Sequence, residues 1–172
     1  MSSSGSVPAI DALADFSLEG RFSLQYEDKN ASGRLNWRHV GMNDDVLLSS
    51  PFGQGLAEIV STPQGARLTL SNGKVYEAVD AETLTRQVLG FPLPLTQLTD
   101  WVRGRARSGT IERDDYGRLT RLHHDAWQIE YVYENAEAQS PPMRLVAKRT
   151  NGIELRLRID EWRSLASGGE EP

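Results

Sequence analysis

Cysteine is absent from the 172-residue chain. That excludes a disulfide framework, thiolate chemistry and sulfur ligands for zinc. Histidine is scarce, with three residues in all. His123 and His124 are adjacent, and neighbours in a strand face opposite sides of the sheet, so they do not make a shared metal site. A surface position at a hairpin end accounts for both. No run approaches 18 apolar residues, so no helical membrane span is expected. A G-x-S-x-G elbow, a G-x-G-x-x-G turn between strand and helix and a glycine-centred EF-hand loop are all missing. The paired carboxylates Asp44-Asp45 and Asp114-Asp115 fall where turns are expected and read as turn and solvation residues. No catalytic set, metal or cofactor is expected, and the reading is of a non-enzyme.

Net charge is -5, from 24 acidic and 19 basic side chains. Phosphate binding needs a basic face, so this balance argues against nucleic acid as a partner. The basic residues are also spread about one per strand (Arg21, Arg34, Arg67, Lys148, Arg156, Arg158), as on the solvent side of a sheet. With 38% apolar and 25% charged residues, the chain suits one folded domain with a real core. The expected organisation is a flexible leader over 1–6, a single domain over 7–165 and a polar tail over 166–172. The start has neither a basic n-region nor an apolar h-region, so no signal peptide is visible.

Two-residue periodicity dominates what is present. Phe16, Leu18, Gly20, Phe22, Leu24 and Tyr26 alternate with polar residues, the pattern of a strand with one apolar face. Gly33 to His39, Val46 to Ser49, Leu56 to Ser61, Arg67 to Leu70 and Lys74 to Ala78 continue it, the last two joined at Asn72-Gly73, a strong hairpin signal. Further strands are expected over Leu119–His123, Trp127–Tyr133, Met143–Ala147 and Ile153–Ile159, with a turn at Asn151-Gly152. Three-residue spacing predicts a short helix over Val7–Phe16. Asp80 is a good N-cap for a second helix that Gly90 stops, and a third runs from Thr96 to Gly104 after the stiff apolar linker F91-P92-L93-P94-L95. Together these make a mainly β, single-domain antiparallel sheet of about eleven strands, strongly curved, with small helices over its concave side or an end. Periodicity alone leaves open whether the sheet closes, and whether it packs solid or encloses a cavity.

Two features invite a functional reading. Phe22, Tyr26, Trp37, Trp127, Tyr131 and Tyr133 sit on strand faces otherwise filled by leucine and isoleucine; they are core, or they line a pocket for an acyl chain or other apolar ligand. In S49-S50-P51-F52-G53-Q54-G55, glycine and proline place a phenylalanine at a loop tip. Phe52 is a plug over the core, a protein contact, or an exposed apolar wedge.

Several fragments carry a resemblance: F16-S17-L18-E19-G20-R21-F22, L35-N36-W37, P51-F52-G53-Q54-G55, L89-G90-F91-P92-L93-P94-L95 running into W101-V102-R103-G104, W127-Q128-I129-E130-Y131, and L157-R158-I159-D160-E161-W162. In this order and spacing the chain resembles the outer-membrane lipoprotein receptor LolB family from Phe16 to about Trp162. The resemblance implies an unclosed antiparallel β-barrel with covering helices and an apolar cavity for lipoprotein acyl chains. It implies a receptor that takes lipoproteins from the periplasmic carrier LolA and inserts them into the inner leaflet of the outer membrane, without covalent chemistry, as a monomer at the periplasmic face. The alternative is a soluble periplasmic carrier of acyl chains that does not insert them. Family members are anchored through an acylated N-terminal cysteine; the native form is expected to be lipid-anchored, and the chain as it stands, without that cysteine, to be soluble. The membrane-insertion loop maps onto Pro51, Phe52 and Gly53. Candidates for the acyl-chain cavity are Phe22, Leu24, Leu35, Trp37, Leu48, Ile59, Leu84, Val88, Phe91, Leu93, Leu95, Leu98, Trp101, Trp127, Ile129, Tyr131, Met143 and Leu145.

Overall fold

The computed structural model describes residues 7–89, 93–150 and 152–165. The leader, the tail, Gly90, Phe91, Pro92 and Asn151 lie outside the described residues.

Alternation builds the sheet strand by strand. In β1 (Phe16–Tyr26) the residues Phe16, Leu18 and Gly20 are buried while Glu19, Arg21, Ser23 and Gln25 are exposed. The same period runs through β2 (Lys29–Val40), β3 (Asn43–Ser49) and, less regularly, β4 (Gly55–Thr62) and β5 (Gly65–Leu70), while β6 (Val75–Ala78) buries none of its residues. After two helices the chain returns as β7 (Thr110–Arg113), β8 (Leu119–His124), β9 (Trp127–Val132), β10 (Arg144–Arg149) and β11 (Ile153–Ser164). All neighbours pair antiparallel, in the order β6-β5-β4-β3-β2-β1-β11-β10-β9-β8-β7. Ten pairings join eleven strands, and only β1 with β11 brings distant parts of the chain together. The edge strands β6 and β7 do not pair with each other, so the barrel is unclosed. Register shifts at Glu19/Gly20 and Leu48/Ser49 are bulges, which bend the sheet around its apolar face.

The link between the two edges carries α1 (Ala81–Leu89) and α2 (Leu95–Trp101). Asp80 caps α1 as expected, its carboxylate accepting the Thr83 N–H at 2.8 Å. Helix α1 packs on β4, β5 and β6. Leu84 and Thr85 are fully covered, and α2 buries Leu95, Leu98, Thr99 and Trp101. The helix expected over Val7–Phe16 is reduced to a 3-10 turn at Ile10–Ala12. Tertiary hydrogen bonding overrides its spacing: Ile10 N–H donates to the Gln139 carbonyl at 2.7 Å, and the chain must extend to enter β1 at Phe16.

One end of the barrel has a floor. Phe16 is wholly buried and packs against Trp37, His39 and Trp162, with ring centroids 5.6, 5.3 and 5.4 Å away. Asp44 serves this floor and is not a turn residue. It lies within β3, 7% exposed, and one oxygen accepts Trp37 Nε1–H at 2.8 Å while lying 2.8 Å from His39 Nδ1. The two-aspartate pattern looked like a turn because Asp45 does face solvent; strand alternation sends Asp44 inward. Similarly, β7 follows the arginine- and glycine-containing stretch 103–109 and carries only exposed residues, so no apolar alternation announced it.

A buried donor left without its acceptor costs about 1–3 kcal/mol. Replacement Asp44→Ala should therefore lower the free energy of unfolding by about 3 kcal/mol, read as a lower urea midpoint, while β1 and β2 stay paired.

Candidate functional site

The loop between β3 and β4 is built to hold one side chain outward. Ser50 N–H donates to the Gln54 carbonyl at 2.7 Å, and Gly53 N–H donates to the Ser50 carbonyl at 2.9 Å. The Ser50 hydroxyl accepts from the N–H groups of Phe52 and Gln54 at 3.3 and 3.1 Å. Gly53 adopts φ +90°, a region closed to most side chains by their Cβ. This closed ring of hydrogen bonds leaves Phe52 96% exposed, with Pro51, Gly53, Gln54 and Gly55 also in solvent. Phe52 does not plug the barrel. Leu56, at the bulge beside it, adds a further exposed apolar side chain.

Under the helices lies a cavity of about 100 Å³ lined by apolar residues alone. Nine sequence candidates line it: Phe22, Leu24, Leu35, Trp37, Leu48, Ile59, Leu93, Leu95 and Leu98. Val46, Leu155 and Leu157 complete the wall and were not foreseen. Leu155 and Leu157 stand opposite Leu24 and Phe22 across the β1–β11 pairing, a contact between the ends of the chain that alternation does not reveal. The remaining candidates lie elsewhere. Leu84, Trp101, Trp127, Ile129, Tyr131 and Leu145 are buried in the packed core, and Val88 and Met143 are half-buried against it. Phe91 lies outside the described residues. Ligand pockets usually measure roughly 300–1,000 Å³, and this cavity is smaller than that.

The cover is fastened unevenly. At its far end Arg103 is buried and donates to the carbonyls of Thr99 and Leu13 at 2.7 and 2.9 Å and to Asp100 Oδ1 at 2.8 Å. Its guanidinium also lies 5.6 Å from the Phe16 ring, tying α2 to the floor. Burial lowers the pKa of Arg103, and the neighbouring Asp100 carboxylate opposes that shift. Midway along α2, the Gln97 amide donates to His124 Nε2 at 2.8 Å, and the Trp101 ring packs against His124 at 5.9 Å. His124 thus stands at the hairpin end as expected, but half-buried and fastening a helix. Above the cavity the ties are lighter. Leu93 N–H donates to Thr85 Oγ1 at 2.8 Å, which joins the start of α2 to α1, and the other contacts there among the described residues are apolar. The cover is thus held by buried polar bonds near Arg103 and mainly by apolar contact over the dry cavity.

Exchange of Thr85 for the isosteric valine removes the acceptor for Leu93. Hydrogen exchange at the Leu93 amide should speed up, and an apolar fluorescent probe should enter faster. Global stability should fall by only about 1 kcal/mol.

Comparison with known proteins adds an independent line. The family model described as "Outer membrane lipoprotein LolB" matches residues 14–162. The chain is 43% identical over 159 residues to the outer-membrane lipoprotein LolB of Dechloromonas aromatica, covering 89% of this chain and 84% of that protein. It is 41% identical over 161 residues to the protein of the same name from Thiobacillus denitrificans, covering 92% and 83%. Among solved structures, a LolA superfamily protein from Nitrosomonas europaea aligns with a TM-score of 0.52 at 10% identity, covering 92% of this chain and 87% of that one. A DUF1329 family protein from Desulfovibrio piger aligns at 0.55 and 9% identity, covering 93% and 90%. At such low identity these structures establish a shared fold.

Proposed function

Because the chain belongs to the LolB family of outer-membrane lipoproteins, we propose that it receives lipoproteins at the periplasmic face of the outer membrane, holds their acyl chains under the α1–α2 lid, and inserts them into the inner leaflet. The observation that carries this reading is Phe52, 96% exposed on a loop whose own hydrogen bonds keep it there. A soluble domain gains nothing by holding a phenyl ring in water. The ring becomes favourable only against an apolar medium, where its burial contributes roughly 1.5–3 kcal/mol. That suffices for a transient contact with a bilayer and falls short of anchoring.

The cavity supplies the other half. Each methylene removed from water gains roughly 0.8 kcal/mol, so an acyl chain crosses the aqueous space only if handed from one apolar site to another. The periplasmic carrier LolA is the donor in this scheme. No covalent step or nucleotide is needed: passage runs downhill if this pocket holds the chains more favourably than the carrier does, and the bilayer more favourably than this pocket. An entering chain displaces the free end of α2, because the closed cavity of about 100 Å³ is too small for it. The Arg103 end stays in place, so the lid can close again after release.

Phe52→Glu should leave the fold and lipoprotein binding unchanged and slow release into liposomes by roughly 10- to 100-fold, the kinetic equivalent of the lost burial. The assay follows a radiolabelled lipoprotein from the purified receptor to sedimented vesicles. Unaltered release would overturn the wedge; loss of binding together with unfolding would place Phe52 among the structural residues.

A further inference from the structure

Like charges directly opposite each other in a sheet destabilise it, yet the register of this barrel sets three such pairs side by side. Arg34 of β2 stands opposite Arg21 of β1, Arg21 opposite Arg158 of β11, and Arg158 opposite Arg144 of β10. Opposed residues share a face, and all four are exposed on the convex side. At about 4.8 Å per strand the row extends roughly 14 Å. Arg156, two residues from Arg158, joins it on the same face, and an open groove of about 380 Å³ runs among Arg21, Arg144, Arg156 and Arg158.

Neutralisation is incomplete. Asp160 pairs with Arg21 at 2.9 Å and approaches Arg158 at 3.8 Å, and Glu154 pairs with Arg156 at 2.6 Å. Arg34 and Arg144 have no ion pair among the described residues. The five cations thus share two ion-paired carboxylates, with Glu19 on the same face paired instead to Arg163, which leaves a local excess of positive charge on a chain whose net charge is -5. The row also has a direction. Arg34 pairs with Ser49, the last residue of β3, and Phe52 follows three residues later on the loop that begins there. The apolar tip stands at one end of the arginine row.

We propose that this row binds the phosphate groups of an anionic lipid surface, laying the convex side of β2, β1, β11 and β10 against the headgroups beside the Phe52 loop. Guanidinium forks match phosphate oxygens two at a time, and basic side chains near an anionic bilayer each strengthen attachment. Continuity with an exposed apolar tip favours a bilayer over an acidic protein, because a bilayer offers phosphate and hydrocarbon at adjoining depths. The otherwise acidic surface disfavours nucleic acid, which would extend past the row. The proposal rests on the Phe52 reading only for the orientation of the barrel.

The test is co-sedimentation of the purified chain with two sets of vesicles, one of phosphatidylcholine and one of equal parts phosphatidylcholine and phosphatidylglycerol. The variant Arg34→Gln/Arg144→Gln removes the two unpaired cations and should keep or slightly raise thermal stability, since it relieves like-charge contacts. At about fivefold per basic side chain, it should bind the anionic vesicles roughly 30-fold less well and the neutral vesicles equally well. Raising the salt concentration should abolish the wild-type preference. Wild-type partitioning of this variant on anionic vesicles overturns the proposal. So does unchanged vesicle binding with impaired uptake from a lipoprotein carrier, which assigns the row to a protein partner. Phe52→Glu in the same assay separates the two readings. If it still binds anionic vesicles while the arginine variant does not, the row stands and the wedge falls. If it loses both vesicle types while the arginine variant binds as wild type does, the wedge stands and the row falls.

Discussion

A sheet of eleven strands that bends but does not close has one face it cannot leave wet. That constraint governs the rest of the molecule. The edges β6 and β7 stay apart, so hydrogen bonding cannot seal the barrel, and the task passes to the segment that links them. Helices α1 and α2 close the apolar interior by side-chain burial. A cover held by apolar contact can be displaced by a better apolar occupant; a cover held by ladder hydrogen bonds could not.

Polar interactions are placed to make that displacement local. At the floor, Asp44 satisfies Trp37 and His39, and Arg103 ties the Thr99 end of α2 to Leu13. These groups are buried, so breaking any of them strands a donor or a charge away from water. Around the cavity the walls are leucine, isoleucine, valine, phenylalanine and tryptophan, with no polar atom that an acyl chain would have to desolvate. Buried polar bonds hold one end of the cover, and apolar contact dominates at the other. Phe52 obeys a related logic outside the barrel: its loop satisfies its own backbone, so the side chain stays out without help from the core.

Much of this could be read along the chain because it is local. Strand faces follow from alternation, the α1 cap from Asp80, and the loop from Pro51 and Gly53 around Phe52. The misreadings have separate physical sources. The expected helix at Val7–Phe16 yields to a hydrogen bond from Ile10 N–H to the Gln139 carbonyl, more than a hundred residues away. Asp44 appeared to be a turn residue until its strand position turned it toward Trp37. His124 looked superficial until α2 brought Gln97 and Trp101 to it. The β7 strand carries no apolar face, so periodicity had nothing to report. For the first helix and for His124 the deciding partner is distant in sequence.

The amino-acid sequence by itself determined a cysteine-free, mainly β chain with one apolar face per strand, two short covering helices and an apolar loop tip, because these depend on residues a few positions apart. Tertiary structure alone decided which strands become neighbours and in what register. That choice set Leu155 and Leu157 into the cavity wall opposite Leu24 and Phe22. It also turned arginines spaced one per strand, which along the chain look dispersed over a solvent face, into a continuous row running from Arg34 to Arg144. Cross-strand register is a property of pairing between distant segments, and the pairing of β1 with β11 exists only once the chain has come together.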